Sequence, residues 1–398
     1  MHQESTLQRI EGPRTPSAGP IAIGRDESAR IVSIDVLRGL VMAVMALAHT
    51  RDFFGASDFN PRDVAEPALF LTRWVTHLCA STFIILAGLS AFLYGRDKTT
   101  KELSRFLFIR GLWLILIELT LIKFGWRFDF DLSHFTAGVI FVIGASMILL
   151  AALIWLPRWA IACVAFAIIG GHNLLDGVRA GELGEASWAW HVLHQPGTVP
   201  LGDGAAKFYV LYPLIPWIGV IAAGYLLGPL MQLGPGAQAA LFVQARRCHH
   251  TCFYRSSRHQ PLWRSSSLGA SGNVTFNHPI LLELRKISTI AALFDDDTGA
   301  RDDAARILRE REGGVRPLAC HLWTSSVLLY VVHIYLIHLF AVATGFALTG
   351  TVASTPAIGL SLPGIYFVWL LVLVLLYPVC RWFAGLKERG RGWWWSYL

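Results

Sequence analysis

Apolar residues gather into eight long runs separated by polar stretches, a pattern that predicts helices crossing a bilayer. The runs cover 34–50, 74–94, 108–123, 137–156, 159–175, 209–231, 328–348 and 360–380. Each approaches the roughly 20 residues needed to span the hydrocarbon core. A helix satisfies its own backbone hydrogen bonds in lipid, so the expected fold class is all-α, a polytopic transmembrane helix bundle. The chain divides into a polar tail over 1–30, a membrane domain with six spans over 31–233, a polar segment over 234–327, and two last spans with a basic tail over 328–398.

Composition agrees with that division. Apolar residues make up 54% of the chain and charged residues 15%, where a soluble domain carries about a quarter charged residues. Mean hydropathy is +0.49. Many of the 15 tryptophans fall near the ends of apolar runs, where interfacial aromatics settle. The net charge of +7 raises nucleic acid as a partner. The basic residues instead sit in short loops between spans, which the positive-inside rule explains, so no nucleic acid is expected. Arg96, Lys98, Lys101, Arg105 and Arg110 form one cluster, Arg158 stands in another loop, and Arg381, Lys387, Arg389 and Arg391 follow the last span. All fall on one side if both termini are cytoplasmic. The loops over 52–73, 127–134 and 176–207 then lie outside. The six cysteines are scattered and give no disulfide framework. The first 30 residues are polar, lack a signal-peptide core and read as a disordered cytoplasmic tail. The lipid bilayer is the expected partner, and the oligomeric state is left open.

The polar segment is unlike its surroundings. Cys248, His249, His250 and Cys252 lie too close together for the spaced ligand pairs of four-coordinate zinc, and no metal is expected. One reading is a cytoplasmic insert. The other comes from the codons. Read one nucleotide later, permitted codons for Arg258-His259-Gln260-Pro261-Leu262-Trp263-Arg264-Ser265 give Ala-Ile-Asn-Leu-Tyr-Gly-Asp-Pro, and further stretches up to Val327 behave alike. A single-base indel near 237–245 and a compensating one near 327–330 would have replaced two spans. The count is then eight spans as written and about ten in the undamaged protein, with an inactive chain as an open alternative.

Ile31-Val32-Ser33-Ile34-Asp35-Val36-Leu37-Arg38-Gly39-Leu40 leads into a span that ends Ala46-Leu47-Ala48-His49. Further motifs are Phe70-Leu71-Thr72-Arg73-Trp74-Val75-Thr76-His77, Arg110-Gly111-Leu112-Trp113-Leu114 with Glu118, and Gly171-His172-Asn173-Leu174-Leu175-Asp176. Tyr212-Pro213-Leu214-Ile215-Pro216-Trp217 and Val332-His333-Ile334-Tyr335-Leu336-Ile337-His338 complete the set. Together they resemble the bacterial membrane proteins that carry a heparan-α-glucosaminide N-acetyltransferase catalytic domain, within the wider membrane-bound acyltransferases. The resemblance covers 30–233 and 327–398 directly, and the middle only in the shifted frame. It implies a multi-pass protein of the bacterial inner membrane that moves an acetyl group from cytoplasmic acetyl-CoA to an amine or hydroxyl outside. Ten residues separate Arg38 from His49, similar to the Arg-x10-His pattern of those acyltransferases, in which the histidine is the catalytic candidate. The short Trp-Asn-Gly stretch after the first span of the heparan enzyme is missing. A cell-envelope glycan is therefore expected as acceptor in place of heparan.

The residues themselves offer matching chemistry. His49 stands at the outer end of the first span, and imidazole is the usual base near neutral pH; it can also carry an acyl group. Asp52 is placed to orient it, and the bland alternative is an interfacial cap. Asp35 and Arg38 are three apart on one helix face. They form either an internal ion pair or, through Arg38, a contact to the phosphates of CoA. His77, early in the second span, is expected beside His49, either as a catalytic group or in a structural hydrogen bond, with Arg51 and Trp74 contacting the acceptor. Glu118 needs a buried partner, and Arg110 is two turns away. His172 and Asp176 either bind an acceptor sugar or simply end a helix. His333 and His338, five apart, do not share a face and are not expected to bind metal. The prolines at Pro213 and Pro216 predict a kinked or broken helix. That feature and the intramembrane charges keep a small-molecule transporter as the alternative.

Overall fold

The computed structural model describes residues 23–56, 66–202, 204–232, 326–353 and 358–389. The frame-change expectation and the Cys248, His249, His250 and Cys252 cluster lie outside the described residues. Every apolar run coincides with a helix: α1 (Ile23–Phe54), α2 (Pro67–Tyr94), α3 (Thr100–Ile117), α5 (Val139–Leu153), α6 (Arg158–Gly171), α8 (Leu214–Leu227), α9 (Ser326–Thr349) and α10 (Leu362–Arg389). Two short helices, α4 (Lys123–Arg127) and α7 (Ser187–Leu193), complete the described set. Among the described residues, five stretches are long and apolar enough to cross a membrane: Pro67–Tyr94, Arg158–Leu175, Leu214–Gln232, Val327–Thr349 and Leu362–Phe383. The protein is a membrane-embedded, multi-pass helical protein.

Local chemistry sets where these helices begin. At α3, Thr99 accepts from the Glu102 amide and Glu102 accepts from the Thr99 amide, a reciprocal capping box. Pro67 opens α2, where a missing N–H costs nothing. Pro213 caps α8 and Pro216 falls in its first turn. The proline pair thus starts a helix where the sequence suggested a broken one, and the helix begins at Leu214 instead of residue 209. The transporter alternative loses its main structural sign. α1 begins at Ile23, inside the expected tail, because charged helix formers follow the last proline, Pro20.

Glycines decide how closely the helices pack. A Cβ on Gly88 would strike the Ile221 carbonyl of α8, and one on Gly224 would strike the Ile85 carbonyl of α2. Gly111 of α3 and Gly144 of α5 stand in the same reciprocal relation. Small residues that let backbones touch are how helices associate where lipid gives no hydrophobic drive. α1 packs on α2, α9 and α10, and the Trp369 indole of α10 donates to the Ala43 carbonyl at 2.7 Å. One core of buried side chains joins α1, α2, α3, α5, α8, α9 and α10.

Helix α3 runs into a π turn over Glu118–Ile122 before α4. Such one-residue insertions re-aim side chains and are frequent at functional sites. A small sheet then adds to the helical picture. β1 (His134–Ala137) pairs in parallel with β3 (Ala206–Val210), and β2 (Gly197–Leu201) pairs antiparallel with β3. Ala137, Val199 and Val210 form its own small core. β1 leads straight into α5, and β3 leads into α8.

Candidate active site

A cavity of about 400 Å³ lies among α1, α2, α3, α5 and α9, within the size range of small-molecule pockets. Its walls are mostly apolar, with Met42, Met45, Phe83, Ile143 and Met147 among them. Two guanidiniums interrupt them, Arg38 from α1 and Arg110 from α3. Arg38 donates to the Ser90 hydroxyl, and that hydroxyl donates onward to the Leu86 carbonyl at 2.6 Å. Arg110 lies over the Phe106 ring at 5.9 Å, and Phe106 stacks on Tyr94 at 3.9 Å. Asp35 is near enough to Arg38 to interact electrostatically, and Arg110 lines the same cavity. Two cations in a low-dielectric pocket make a site for an anion.

Tyr330 and Val139 also line the cavity. The Tyr330 ring lies 5.9 Å from the His49 ring and 5.4 Å from that of His333. His49 also packs edge-on against His333, with ring centroids 5.1 Å apart, and against Trp126 at 4.9 Å. The π turn and α4 bring Trp126 here. His333 is 1% exposed, and its Nδ1 donates to the Leu329 carbonyl at 2.8 Å. Nδ1 of His49 and Nε2 of His333 are buried without a hydrogen-bond partner among the described residues. His49 follows Arg38 by eleven positions on the same helix, or roughly 16 Å along the axis at the standard rise. An extended molecule with an anionic head and a reactive tail has the matching shape.

Glu118 finds its partner at a helix end and not at Arg110. Its carboxylate faces the Gly138, Ile140 and Phe141 amides, orphan donors at the start of α5, while Oε2 is buried without a hydrogen-bond partner among the described residues. A Cβ on Gly138 would collide with that carboxylate. Glu118 therefore builds the cavity wall from behind.

Other expected site residues stand elsewhere. The Asp52 carboxylate pairs with Arg51 at 2.9 Å and leaves His49 unoriented. A permanently charged guanidinium at the next position outcompetes an imidazole for a carboxylate. His77 is exposed on α2, with Thr76 and Cys79 turned inward; helix phase rotates it away from the core that holds His49. Trp74 is 48% exposed on the same helix. His172 folds back on the Ile168 carbonyl at 3.0 Å, and Asp176 pairs with His194 at 3.0 Å, so each has a local partner. His338 donates to the Gly125 carbonyl at 2.7 Å and stacks on Phe128 at 3.9 Å. Among the described residues, no cluster of three or more His, Cys, Asp or Glu could hold a metal. Sequence reasoning missed Ser90, Tyr330 and the meeting of His333 with His49. The only signal for the last was a histidine inside an apolar span.

Fold and site together define a multi-pass membrane protein whose central cavity is cationic at one end and reaches toward buried imidazoles at the other. Residues 30–259, more than half of the chain, match the family model described as heparan-alpha-glucosaminide N-acetyltransferase, catalytic, and the chain belongs to that family. The match ends inside the polar segment, so α9 and His333 lie beyond it. No curated protein and no solved structure matches the chain.

Proposed function

We propose that this protein is a membrane acetyltransferase that takes its acetyl group from cytoplasmic acetyl-CoA and delivers it to an amine or hydroxyl outside, on a cell-envelope glycan. The single observation that carries this reading is the cavity itself, with Arg38 and Arg110 at one end and Tyr330, against His49, at the other. The guanidiniums hold the phosphates of the donor, and its pantetheine arm runs along the apolar walls. His49 removes the acceptor proton as the acceptor oxygen or nitrogen bonds the acetyl carbon. The carbon–sulfur bond breaks, and the proton passes to the departing CoA thiolate. The reading includes eight spans with both termini cytoplasmic, in the inner membrane of a bacterium, with the lipid bilayer as solvent. It also treats the segment over 238–327 as the product of a shifted frame, which resequencing of the coding DNA decides; an unbroken frame in close relatives overturns that part.

The test is turnover of acetyl-CoA by the purified full chain in lipid nanodiscs with amino-sugar acceptors. His49→Ala should lower kcat by about a hundredfold or more, the range of a lost general base. Survival of turnover in that variant removes His49 from the chemistry.

A further inference from the structure

We infer that His333 is the positioning partner of His49, the group that fixes the tautomer of His49 and shares its proton during acetyl transfer. The inference rests on the acetyltransferase reading above. It starts from a role left open: Asp52, the residue placed by sequence to orient His49, is held by Arg51 at 2.9 Å. An imidazole acting as a base needs its second nitrogen fixed by something.

Among the described residues, His333 fits that position best. His333 gives its Nδ1 proton to the Leu329 carbonyl at 2.8 Å, one turn back on its own helix. That bond sets its tautomer, so Nε2 carries a lone pair. Nε2 is buried without a partner among the described residues, as is Nδ1 of His49, while the two rings lie 5.1 Å apart and edge-on. A buried imidazole nitrogen left without a hydrogen bond is costly. Two of them on adjacent rings are reconciled by one bond, from Nδ1–H of His49 to Nε2 of His333, reached by a small ring rotation. His49 then keeps the Nε2 lone pair as the base. Tyr330 and Trp126 flank the pair with π faces and edges. The charged and titratable groups coupled to this cluster are Arg51 on α1 and, through Tyr330, Glu118 of the π turn and Tyr212.

The proton count closes without a further reagent. His49 Nε2 takes the proton of the attacking hydroxyl or amine, and the positive charge spreads over both rings through the shared hydrogen bond. When the thioester carbon–sulfur bond breaks, that proton moves from His49 to the CoA thiolate, and both imidazoles return to neutral.

Three variants of the full chain in nanodiscs test this. His333→Asn retains an N–H for the Leu329 carbonyl but has nothing at the Nε2 position; His333→Gln and His333→Ala bracket it. Variants are compared only if they purify as the same monodisperse species as wild type. The expected result is a kcat lowered about a hundredfold in His333→Asn, with KM for acetyl-CoA unchanged. Added imidazoles should partly restore His333→Ala, in the order of their basicity. A second readout needs no acetyl-CoA: carbethoxylation of His49 by diethyl pyrocarbonate, followed by peptide mass spectrometry. That reaction joins a carbonyl carbon to one ring nitrogen, expels ethyl carbonate and sheds the ring proton, which His333 accepts. His49 should react several-fold more slowly in His333→Asn than in wild type. Inactivity of wild type with normal, His333-dependent labelling rejects the acetyltransferase reading and keeps the pair. Equal labelling rates in the two proteins, or wild-type kcat in His333→Asn, overturns the pair.

Discussion

A guanidinium inside a membrane protein has to answer for its desolvation, and Arg38 does so with a neutral partner, Ser90. Neighbouring Asp35 offsets part of one charge, and Arg110 adds a second on the same cavity wall. An anion that enters here meets two donors able to grip phosphate in a fork, which an ammonium cannot reproduce. Arg38→Lys should therefore raise KM for acetyl-CoA about tenfold while changing kcat little, since the substitution is remote from the acyl carbon; initial rates over a donor series give the split. Gly138 is the other residue with a single strict demand. Its hydrogen leaves room for the Glu118 carboxylate that sits against the start of α5. Gly138→Ala should cost about 1–3 kcal/mol of stability, measured as denaturant unfolding in mild detergent. At this scale the sequence reveals which residues are out of place in lipid: Arg38, His49, Glu118 and His333. It does not reveal their partners. Ser90 lies 52 positions from Arg38, and the local motif around His49 points to Asp52 because proximity in sequence is all that a motif records.

Elements were legible to the extent that lipid dictates them. Each apolar run became a helix because a backbone in hydrocarbon has no other partner for its N–H and C=O groups. The sheet was not legible, since its strands are four and five residues long and β1 pairs with β3 across the intervening helices α5, α6 and α7. The π turn was equally hidden, being a one-residue insertion in a continuous apolar run. The turn before β1 supplies a test of how that sheet is seeded. Asp131 accepts from the Ser133 hydroxyl at 2.6 Å and the Ser133 amide at 2.8 Å, with His134 alongside at 3.2 Å. These bonds hold its carboxyl well below the usual range. A depressed pKa means that the unfolded chain binds a proton more readily. The turn's contribution is thus complete above the ordinary aspartate value of about 4, and is lost as pH falls from there through the folded value. Wild type should melt higher than Asp131→Asn at pH 7, and the gap should close on acidification below about pH 4; a gap that is constant with pH refutes the hydrogen-bonded carboxylate.

For the whole molecule the deciding matter is which end of the cavity faces which compartment. Helix α2 ends at Tyr94 and α3 starts at Thr100, so the short loop between them sits at the arginine end, where Tyr94, Phe106 and Arg110 meet the cavity. That loop also holds Arg96 and Lys98, with Lys98 set over the Tyr94 ring at 4.7 Å. The residues after α6, from the turn over His172–Leu175 through α7 to β3, lie one helix length away from the loop at Pro157, and so at the opposite end. Basic residues are retained on the cytoplasmic side, and CoA is made and kept there. Charge bias and the chemistry of the proposed donor therefore favour the same orientation, although they are independent arguments. Two single-cysteine proteins, built on a background with the native cysteines replaced, read it out. Asp97→Cys marks the loop between α2 and α3. Gly181→Cys marks the far side, at a position where a side chain meets nothing within 4 Å. In intact spheroplasts a membrane-impermeant maleimide should label Gly181→Cys and spare Asp97→Cys until the membrane is opened. The reverse pattern would turn the arginine end outward, away from cytoplasmic acetyl-CoA, and the proposed donor route would fail even if every residue in the cavity were assigned correctly.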